Sequence, residues 1–309
     1  MPLSAVFFGT PEFAVPSLSR LLEGVAEVRL VVTRPDRPVG RHSVPLPSAL
    51  ARLATVRGIS LEKPKALRGN SPIADRLREL APDLGVVVAY GRILPAEILR
   101  IPRLGFVNVH ASLLPKYRGA SPIQAALLAG DRQTGVVTMK VVEELDAGPI
   151  YLEREIEIAD REDAGSLSQR IAAAGAQLLE ETIAGLERGT LRARPQEGTP
   201  IICRPIRRED GRIDWTHPAG EIERRRRAFT PWPGLYTFLQ KGRIKIHGLE
   251  PGPPTHKAPG TLWLEGDLPL VAAGDATSLI LTRAQRAGRQ IVGGLDFARG
   301  IRSLPARFS

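Results

Sequence analysis

The chain has 309 residues and a net charge of +10, from 43 Lys and Arg against 33 Asp and Glu, with 43% hydrophobic and 25% charged residues. This length suits two domains of about 150 residues, and the composition is that of a globular protein, which excludes disordered and fibrous chains. The single cysteine, Cys203, excludes an internal disulfide framework and a cysteine-based zinc site, and we expect a cytoplasmic protein because the N-terminus lacks a signal-peptide pattern and no apolar run reaches about 18 residues.

The first part of the chain alternates predicted strands and helices. Apolar runs predict strands at 4–8, 28–33, 84–90, 105–111, 136–142 and 151–158. A helical pattern with Leu18, Leu21 and Leu22 follows the first strand, and others lie near 48–57, 72–80, 123–129 and 167–186. Continuous Val-rich strands are typical of sheets buried on both faces. We therefore predict an α/β domain over residues 1–188, with a doubly wound, mostly parallel, Rossmann-like sheet.

The second part of the chain changes in character after a predicted linker at 189–205. Residues 206–309 contain short apolar runs separated by Pro and Gly, which predict a small β-barrel of the oligonucleotide-binding type. A β-sandwich has comparable support from this pattern. Residues 201–309 hold 18 Lys and Arg against 10 Asp and Glu. This positive potential attracts polyanions, and nucleic acid is favoured over a membrane because no amphipathic helix with an aromatic face accompanies it.

The first candidate site is a polar pair inside an apolar strand. Strand alternation places Asn108 and His110 on one face and Val107 and Val109 on the other. Burying an unpaired amide or imidazole costs about 1 to 3 kcal/mol. Such a pair therefore has either hydrogen-bond partners within the protein or a functional role. It lies near the carboxyl end of a predicted parallel strand, where ligands bind in open α/β sheets. The alternative interpretation, without a function, is that His110 is a hydrogen-bonded histidine of the core.

A third candidate, Asp146, follows the strand at 136–142 in a turn that contains Gly and Pro. Alone it would be interpreted as a loop carboxylate that caps its own backbone. With the polar pair it suits acyl transfer between two amines: His110 exchanges protons, Asp146 orients the imidazole and Asn108 donates to an oxyanion. No Ser or Cys nucleophile is evident and no metal is implied, so direct attack by the acceptor amine is the simpler mechanism.

These motifs resemble a known family along nearly the whole chain. NVHASLLPKYRGASPIQ begins at Asn108 and LDAGPI follows at Leu145, with FGTPEFA at 8–14, RPDRPVGR at 34–41, VVAYGRILP at 87–95, and RIDW and FTPWPG in the second part. The chain is similar to the formyltransferases that use 10-formyltetrahydrofolate. The resemblance is greatest to the branch whose acceptor is the methionine on initiator tRNA, and it implies formyl-folate as cosubstrate and initiator methionyl-tRNA as partner. We expect a monomer.

The resemblance also implies roles for individual residues. Asn108, His110 and Asp146 take the catalytic positions. The implied folate contacts are Ser112, Leu113, Leu114, Pro115, Tyr90, Gly91, Arg92 and Ile93. The implied tRNA contacts are Arg41, Arg37, Lys116, Arg118, Arg224 and Arg225, although a solvated helix face explains the last two equally well. The lysine pair that often follows Gly40-Arg41 in such chains is replaced here by His42-Ser43-Val44.

Three other classes of protein share parts of this pattern. A sugar-nucleotide formyltransferase and the hydrolase domain of formyltetrahydrofolate dehydrogenase have the same three catalytic residues. SPIQ at 121–124 and the basic second part favour the tRNA substrate over both. A catalytically dead nucleic-acid-binding protein on the same scaffold is disfavoured because Asn108, His110 and Asp146 are all intact.

Overall fold

The computed structural model describes residues 2–38, 45–68, 72–240 and 242–309, without the side chain of Arg37. Arg41 and its neighbours His42, Ser43 and Val44 lie outside the described residues. The chain forms two compact units, one made of 1–122, 133–158 and 168–204, the other of 123–132, 159–167 and 205–309. The segment predicted as a linker thus belongs to the first unit as far as Arg204. The division into domains at 188 and 206 stays a prediction.

The first unit is built on a seven-stranded sheet. In chain order the strands of this unit are β1 Ser4–Gly9, β2 Glu27–Val32, β3 Arg37–Pro38, β4 Pro45–Leu46, β5 Leu61–Glu62, β6 Leu84–Val88, β7 Phe106–His110, β8 Arg118–Gly119, β9 Gln133–Lys140, β10 Ile150–Glu157 and β11 Ile202–Cys203. The sheet has the order β10-β9-β7-β6-β1-β2-β5, in which the strands from β7 to β5 are parallel. Strands β9 and β10 are antiparallel at one edge. The mostly parallel α/β prediction is therefore confirmed.

The first six helices of the chain are α1 Val15–Arg20, α2 Ala49–Val56, α3 Pro72–Leu80, α4 Ala96–Leu99, α5 Pro122–Ala129 and α6 Ala164–Glu187. Ser48 begins α2 as its N-cap, because its hydroxyl accepts a hydrogen bond from the Ala51 amide at 3.1 Å. The sequence predicts all of these helices except α4, which has only four residues and so too few to show a helical period. No helix among the described residues combines the length and the apolarity needed to cross a membrane.

The core beside the middle of the sheet is aromatic. Phe8 packs edge-to-face against Tyr90 and Phe106, with ring centroids 5.3 and 5.5 Å apart. Gly85 makes room for the Phe106 ring, since a Cβ at this position would overlap it. Strands β6 and β7 can therefore lie side by side with a large ring between the sheet and its covering layer. Phe106 is the first residue of β7, so this packing holds the start of the strand that ends at His110.

The connections of the sheet define where a ligand can approach. From β1 the chain moves outward to β2 and β5, then returns to the other side of β1 as β6 and β7. The carboxyl ends of these parallel strands meet at one edge, and the crevice at such a reversal is the usual binding place in open α/β sheets. The segments after β6 and β7 both begin at this edge.

The second unit is an antiparallel barrel. Its strands are β12 Leu235–Leu239, β13 Gly242–Pro251, β14 Thr261–Glu265, β15 Leu268–Ala272, β16 Ser278–Arg286, β17 Ile291–Gly293 and β18 Ala306–Arg307, with helices α7 Ala219–Ala228 and α8 Gly294–Arg299. The strand order is β12-β13-β16-β15-β14-β18, and Phe238 and Ser309 exchange two backbone hydrogen bonds of 2.9 Å. This exchange nearly closes the sheet on itself. The predicted barrel is confirmed, and β17, α8 and β18 were not predicted.

One polar contact ties together the starts of β1 and β6. The Asp83 carboxylate accepts hydrogen bonds from the Ser4 amide at 3.0 Å and hydroxyl at 2.9 Å, and its other oxygen accepts two from Arg103 at 3.0 and 2.9 Å. The bonds from Ser4, followed by the one from Arg103, hold the pKa of Asp83 below its usual value. The resulting stabilisation is complete above the unfolded pKa of about 3.9 and is lost as the pH falls through the folded value.

We predict that Asp83→Asn lowers the free energy of unfolding at pH 7 by about 1 kcal/mol, since it removes the charged acceptor of these hydrogen bonds. The deficit should shrink as the pH falls below about 4. Urea unfolding of both proteins across this range measures it. Asp75→Asn is the matched control, because Asp75 is 69% exposed in a surface pair with Arg78 and such pairs contribute little. An Asp83→Asn deficit that does not change with pH would contradict the account.

Candidate active site

His110 is the last residue of β7 and is only 6% exposed. Its Nε2 lies 3.0 Å from the backbone oxygen of Tyr117. A carbonyl oxygen only accepts hydrogen bonds, so the neutral ring carries its proton on Nε2 and donates it there. Its Nδ1 lies 3.7 Å from Oδ2 of Asp146, too far for a hydrogen bond with that oxygen. A proton gained at Nδ1 would face a carboxylate.

Asp146 lies in the loop between β9 and β10, with a left-handed backbone φ of 48° that Asp tolerates better than most residues. Its Oδ2 accepts a hydrogen bond of 2.9 Å from the Gly119 amide. Gly119 itself has a φ of 115°, and a Cβ there would overlap the backbone oxygen of Cys203. A glycine is therefore required at the point where the chain after His110 turns to hold the carboxylate.

Asn108 lies two residues before His110 on the same face of β7, as strand alternation requires. Its backbone is in the sheet, paired with Val87 and Met139. Its side chain is half-buried and makes no hydrogen bond with any residue in the described part of the chain. The structure thus brings a partly exposed, unengaged amide next to an imidazole with one free nitrogen. Such a set can stabilise an oxyanion and exchange a proton.

The segment after β7 carries four of the predicted folate contacts. Ser112 is fully buried, and its hydroxyl donates a hydrogen bond of 2.6 Å to the backbone oxygen of Lys116. Leu114 is buried, whereas Leu113 and Pro115 are half-buried. Ser112 therefore closes the loop on itself. Leu114 is part of a buried cluster with Val137, Met139 and Ile150, so Leu113 and Pro115 supply the accessible apolar surface of the loop.

The other four predicted folate contacts follow β6. Tyr90 is buried in the aromatic core, and burial raises the pKa of its hydroxyl. Arg92 donates hydrogen bonds of 2.9 Å to the backbone oxygens of Pro64 and Lys65. Gly91 is exposed and Ile93 is 62% exposed. In this segment Gly91 and Ile93 are open to a ligand, while Tyr90 and Arg92 are engaged within the protein.

The predicted tRNA contacts differ in how open they are. Lys116 is exposed, with its Nζ 5.0 Å from the centre of the Tyr117 ring. Arg118 is 12% exposed and donates to Oε1 of Gln196 from Nε at 3.0 Å and Nη2 at 2.8 Å. Arg224 and Arg225 are half-buried on α7, and Arg225 donates to the backbone oxygen of Asp210 at 2.8 Å.

Three residues near the site were not singled out in the sequence. Tyr117 and Gly119 contribute backbone groups, which carry no sequence signal beyond the glycine. Gln196 lies in the predicted linker, and its Nε2 donates hydrogen bonds of 2.8 Å to the backbone oxygens of both Asp146 and Gly148. Gln196 is 50 residues beyond Asp146, and no periodicity or motif in the sequence indicates that the two lie together. Their proximity follows only from the path of the folded backbone.

A cavity of about 640 Å³ lies beside the start of β7. It is lined by residues of α4, of the segment before β7 and of the end of β9 and the loop that follows: Ala96, Leu99, Arg100, Pro102, Arg103, Leu104, Gly105, Lys140, Val141, Val142 and Glu143. None of the predicted folate contacts belongs to this lining. Among the described residues no group of three His, Cys, Asp or Glu side chains is arranged to hold a metal ion.

The chain matches known proteins along both parts. The model of the family described as formyl transferase matches residues 3–183, and that of the formyl transferase C-terminal domain matches residues 205–302. A methionyl-tRNA formyltransferase of Koribacter versatilis is 43% identical over 298 residues, which cover 96% of this chain and 95% of that protein. One of Thermus thermophilus is 42% identical over 298 residues, which cover 96% of each.

A solved structure shows the same fold at lower identity. The N-formyltransferase from Helicobacter canadensis, crystallised with folinic acid and dTDP-3-aminofucose, superposes with a TM-score of 0.68 at 19% identity, covering 93% of this chain and 100% of that one. The family models together cover most of the chain, and two relatives above 40% identity extend over nearly all of it. The chain therefore belongs to the formyl transferase family.

Proposed function

We propose that this protein transfers the formyl group of 10-formyltetrahydrofolate to the amino group of methionine on initiator tRNA, as a monomer in the cytoplasm. The observation that carries the proposal is the His110 ring, held between the Tyr117 carbonyl and the Asp146 carboxylate beside the unengaged Asn108 amide. The methionyl-tRNA formyltransferases that share about 43% of its residues support the choice of acceptor. The basic balance of residues 201–309 suits a polyanionic partner.

The formyl-folate supplies the carbon that is transferred, and the protein supplies electrostatic and proton-transfer groups. Asn108 donates a hydrogen bond to the formyl oxygen as negative charge develops there during attack by the amine. An amide donor that needs no reorganisation lowers the barrier by about 3 kcal/mol in comparable sites. The chemistry of Asn108 fits this role because no other described residue occupies its N–H groups.

His110 accepts the proton that the attacking amine must lose. Only Nδ1 is free to do so, because Nε2 is committed to the Tyr117 carbonyl. The proton then faces Oδ2 of Asp146, which stabilises the cationic ring. The Asp146 carboxylate is held in place by the Gly119 amide, which donates to its Oδ2. The same proton is available to the departing folate nitrogen, so the enzyme returns to its starting state.

The folate lies, in this proposal, between the segments after β6 and β7. Gly91 and Ile93 offer open surface on one side, and Leu113 and Pro115 offer a partly exposed apolar surface on the other, with Leu114 buried in the core between them in sequence. Tyr90, Arg92 and Ser112 shape the two segments from within. A partly apolar cleft with few polar groups is the usual form of a site for a ring-containing ligand.

The tRNA approaches the same edge of the sheet in our proposal. Lys116 is exposed in the loop that carries the site, at a position that a phosphate group can approach. Arg41 and Arg37 keep the role that the family resemblance gives them. Arg118, Arg224 and Arg225 are half-buried, so a smaller part of each guanidinium can reach the RNA backbone. Their contribution to tRNA binding is expected to be smaller than that of Lys116.

A panel of acceptors tests the function directly. Labelled formyl from 10-formyltetrahydrofolate is offered to initiator methionyl-tRNA, elongator methionyl-tRNA and a 4-amino sugar nucleotide. We predict selective labelling of the initiator. Labelling of the sugar nucleotide alone would keep the chemistry but replace the acceptor, and no labelling of any acceptor would favour a hydrolase or a non-catalytic binding protein.

The proton-transfer role predicts a specific defect in His110→Ala. We expect kcat to fall at least about 100-fold, which is the usual effect of removing an acid-base group, while the affinity for the folate changes little. Isothermal titration and steady-state rates measure the two quantities. His247→Ala is the control, since His247 is exposed on the barrel, where it contacts Gln285. A His110→Ala enzyme with the turnover of the control would overturn the assignment.

A further inference from the structure

The segment after α6, residues 189–204, returns along the edge of the sheet where the site lies. Arg194 exchanges two backbone hydrogen bonds with Ile150, at 2.7 and 2.8 Å. Further on, the Ile201 amide donates to the backbone oxygen of Pro115 at 3.2 Å. Strand β11 then pairs in parallel with β8, the strand that contains Gly119. This returning segment is therefore attached both to the loop of Asp146 and to the loop that follows His110.

Gln196 is the residue that joins these two loops through its side chain. Both N–H groups of its amide are used, by the backbone oxygens of Asp146 and Gly148, each at 2.8 Å. Its oxygen accepts two hydrogen bonds from Arg118. A primary amide has two donor hydrogens and two acceptor lone pairs, so its hydrogen-bonding capacity is filled. The partners of the Gln196 amide belong to different loops. The two carbonyl groups belong to the Asp146 loop, and the guanidinium belongs to the loop that follows His110.

The position of the Asp146 carboxylate depends on this arrangement. Its backbone has a left-handed φ, and its carboxylate is held from the other loop by the Gly119 amide. Gln196 holds the carbonyl of Asp146 itself, while Arg118 is the neighbour of Gly119 in the chain. Three connections thus join the two loops: the Gly119 amide, the Gln196 side chain, and Arg118, whose Nη1 donates to Oε1 of Glu144 at 3.3 Å. Glu144 is 76% exposed, so the connections through Gly119 and Gln196 are the two shielded ones that hold the carboxylate near His110 Nδ1.

We propose that Gln196 is a positioning residue for formyl transfer, which holds the Asp146 loop at its working distance from His110. This inference rests on the function proposed above. Displacement of a catalytic group by about 1 Å can cost about 100-fold in rate without loss of binding. Gln196 touches no reacting atom in this account and acts through Asp146 alone.

The chemistry of the contacts explains why a glutamine is required. Glutamate has the same shape, but it places an oxygen opposite two carbonyl oxygens, so both donated hydrogen bonds become repulsive contacts. Alanine removes all four hydrogen bonds. The adjacent Glu197 is exposed with no such contacts, so Glu197→Gln makes a matched single-atom exchange one residue away.

The test compares Gln196→Glu, Gln196→Ala and Glu197→Gln with the wild type in formyl transfer to initiator methionyl-tRNA. We expect kcat to fall about 10- to 100-fold in both Gln196 variants, with KM for the folate within about twofold. The melting temperature should fall by only a few degrees, because hydrogen bonds of one half-buried side chain are lost while the rest of the fold is untouched. Glu197→Gln should match the wild type. Unchanged kcat in the Gln196 variants would overturn the proposal, and so would a joint change in kcat, KM and melting temperature, which indicates a general folding defect.

A second readout separates this proposal from the proposed function. Cys203 is the only cysteine, and its Sγ lies 3.2 Å from the backbone oxygen of Arg118 and 3.4 Å from the Ser121 amide. Burial, followed by the negative charge of Asp146, raises the pKa of this thiol and slows its reaction with disulfide reagents. If the wild type formylates no methionyl-tRNA, the proposed function is wrong. The rate at which a disulfide reagent labels Cys203 then still tests whether Gln196 holds the two loops together. Faster labelling in Gln196→Glu than in Glu197→Gln supports the role of Gln196 in holding the loops, and equal rates overturn it.

Discussion

The hydrogen bond between His110 Nε2 and the Tyr117 carbonyl is the constraint on which the site depends. It is made to a group that can only accept, so it decides which nitrogen of the ring holds the resting proton. The other nitrogen is thereby left bare and directed towards Asp146. His110, the proton acceptor in the proposed mechanism, is oriented by a backbone group of its own loop, and Asp146 faces the nitrogen that would accept the proton.

The rest of the first unit serves to maintain that contact. Strand β7 is fixed in the sheet by its neighbours and by the Phe106 ring over Gly85, so the end of the strand has little freedom. The loop that begins at His110 turns back through Ser112 and Gly119, and the second of these holds Asp146. Chain distant in sequence, around Gln196 and Cys203, completes the enclosure. The contacts that surround the site thus come from three separate parts of the chain.

The strand order of the site and its polar pair can be expected from the sequence to the extent that they depend on strand periodicity. The runs that form β1 and β6 are almost wholly apolar, whereas Asn108 and His110 interrupt the run of β7 at alternate positions, and this interruption can be recognised in a single sequence. The sequence pattern supports a barrel and a β-sandwich equally well. Closure of the barrel depends on backbone hydrogen bonds between Phe238 and Ser309, which lie far apart in the sequence. Contacts of that range leave no local pattern.

The engagement of the basic residues was also beyond the sequence. As candidate phosphate contacts, Arg118 and Arg225 cannot be told apart from Lys116 in the sequence, but the fold half-buries both arginines and leaves Lys116 exposed. Gln196 is the opposite case, an unremarkable residue in a supposed linker that the returning segment carries to the centre of the site. Charge and composition identify the class of partner, whereas the side chains that meet it are selected by packing.

The most direct test of this account is the position of the proton on His110. In protein labelled with ¹⁵N at its five histidines, the His110 ring is assigned by its loss in His110→Gln, and its two nitrogens are compared at a pH where the ring is neutral. The account predicts that Nε2 carries the proton and Nδ1 is bare. A proton on Nδ1 in the neutral ring would contradict it, because the Tyr117 carbonyl would then have no donor and the nitrogen that faces Asp146 would not be free to accept a proton.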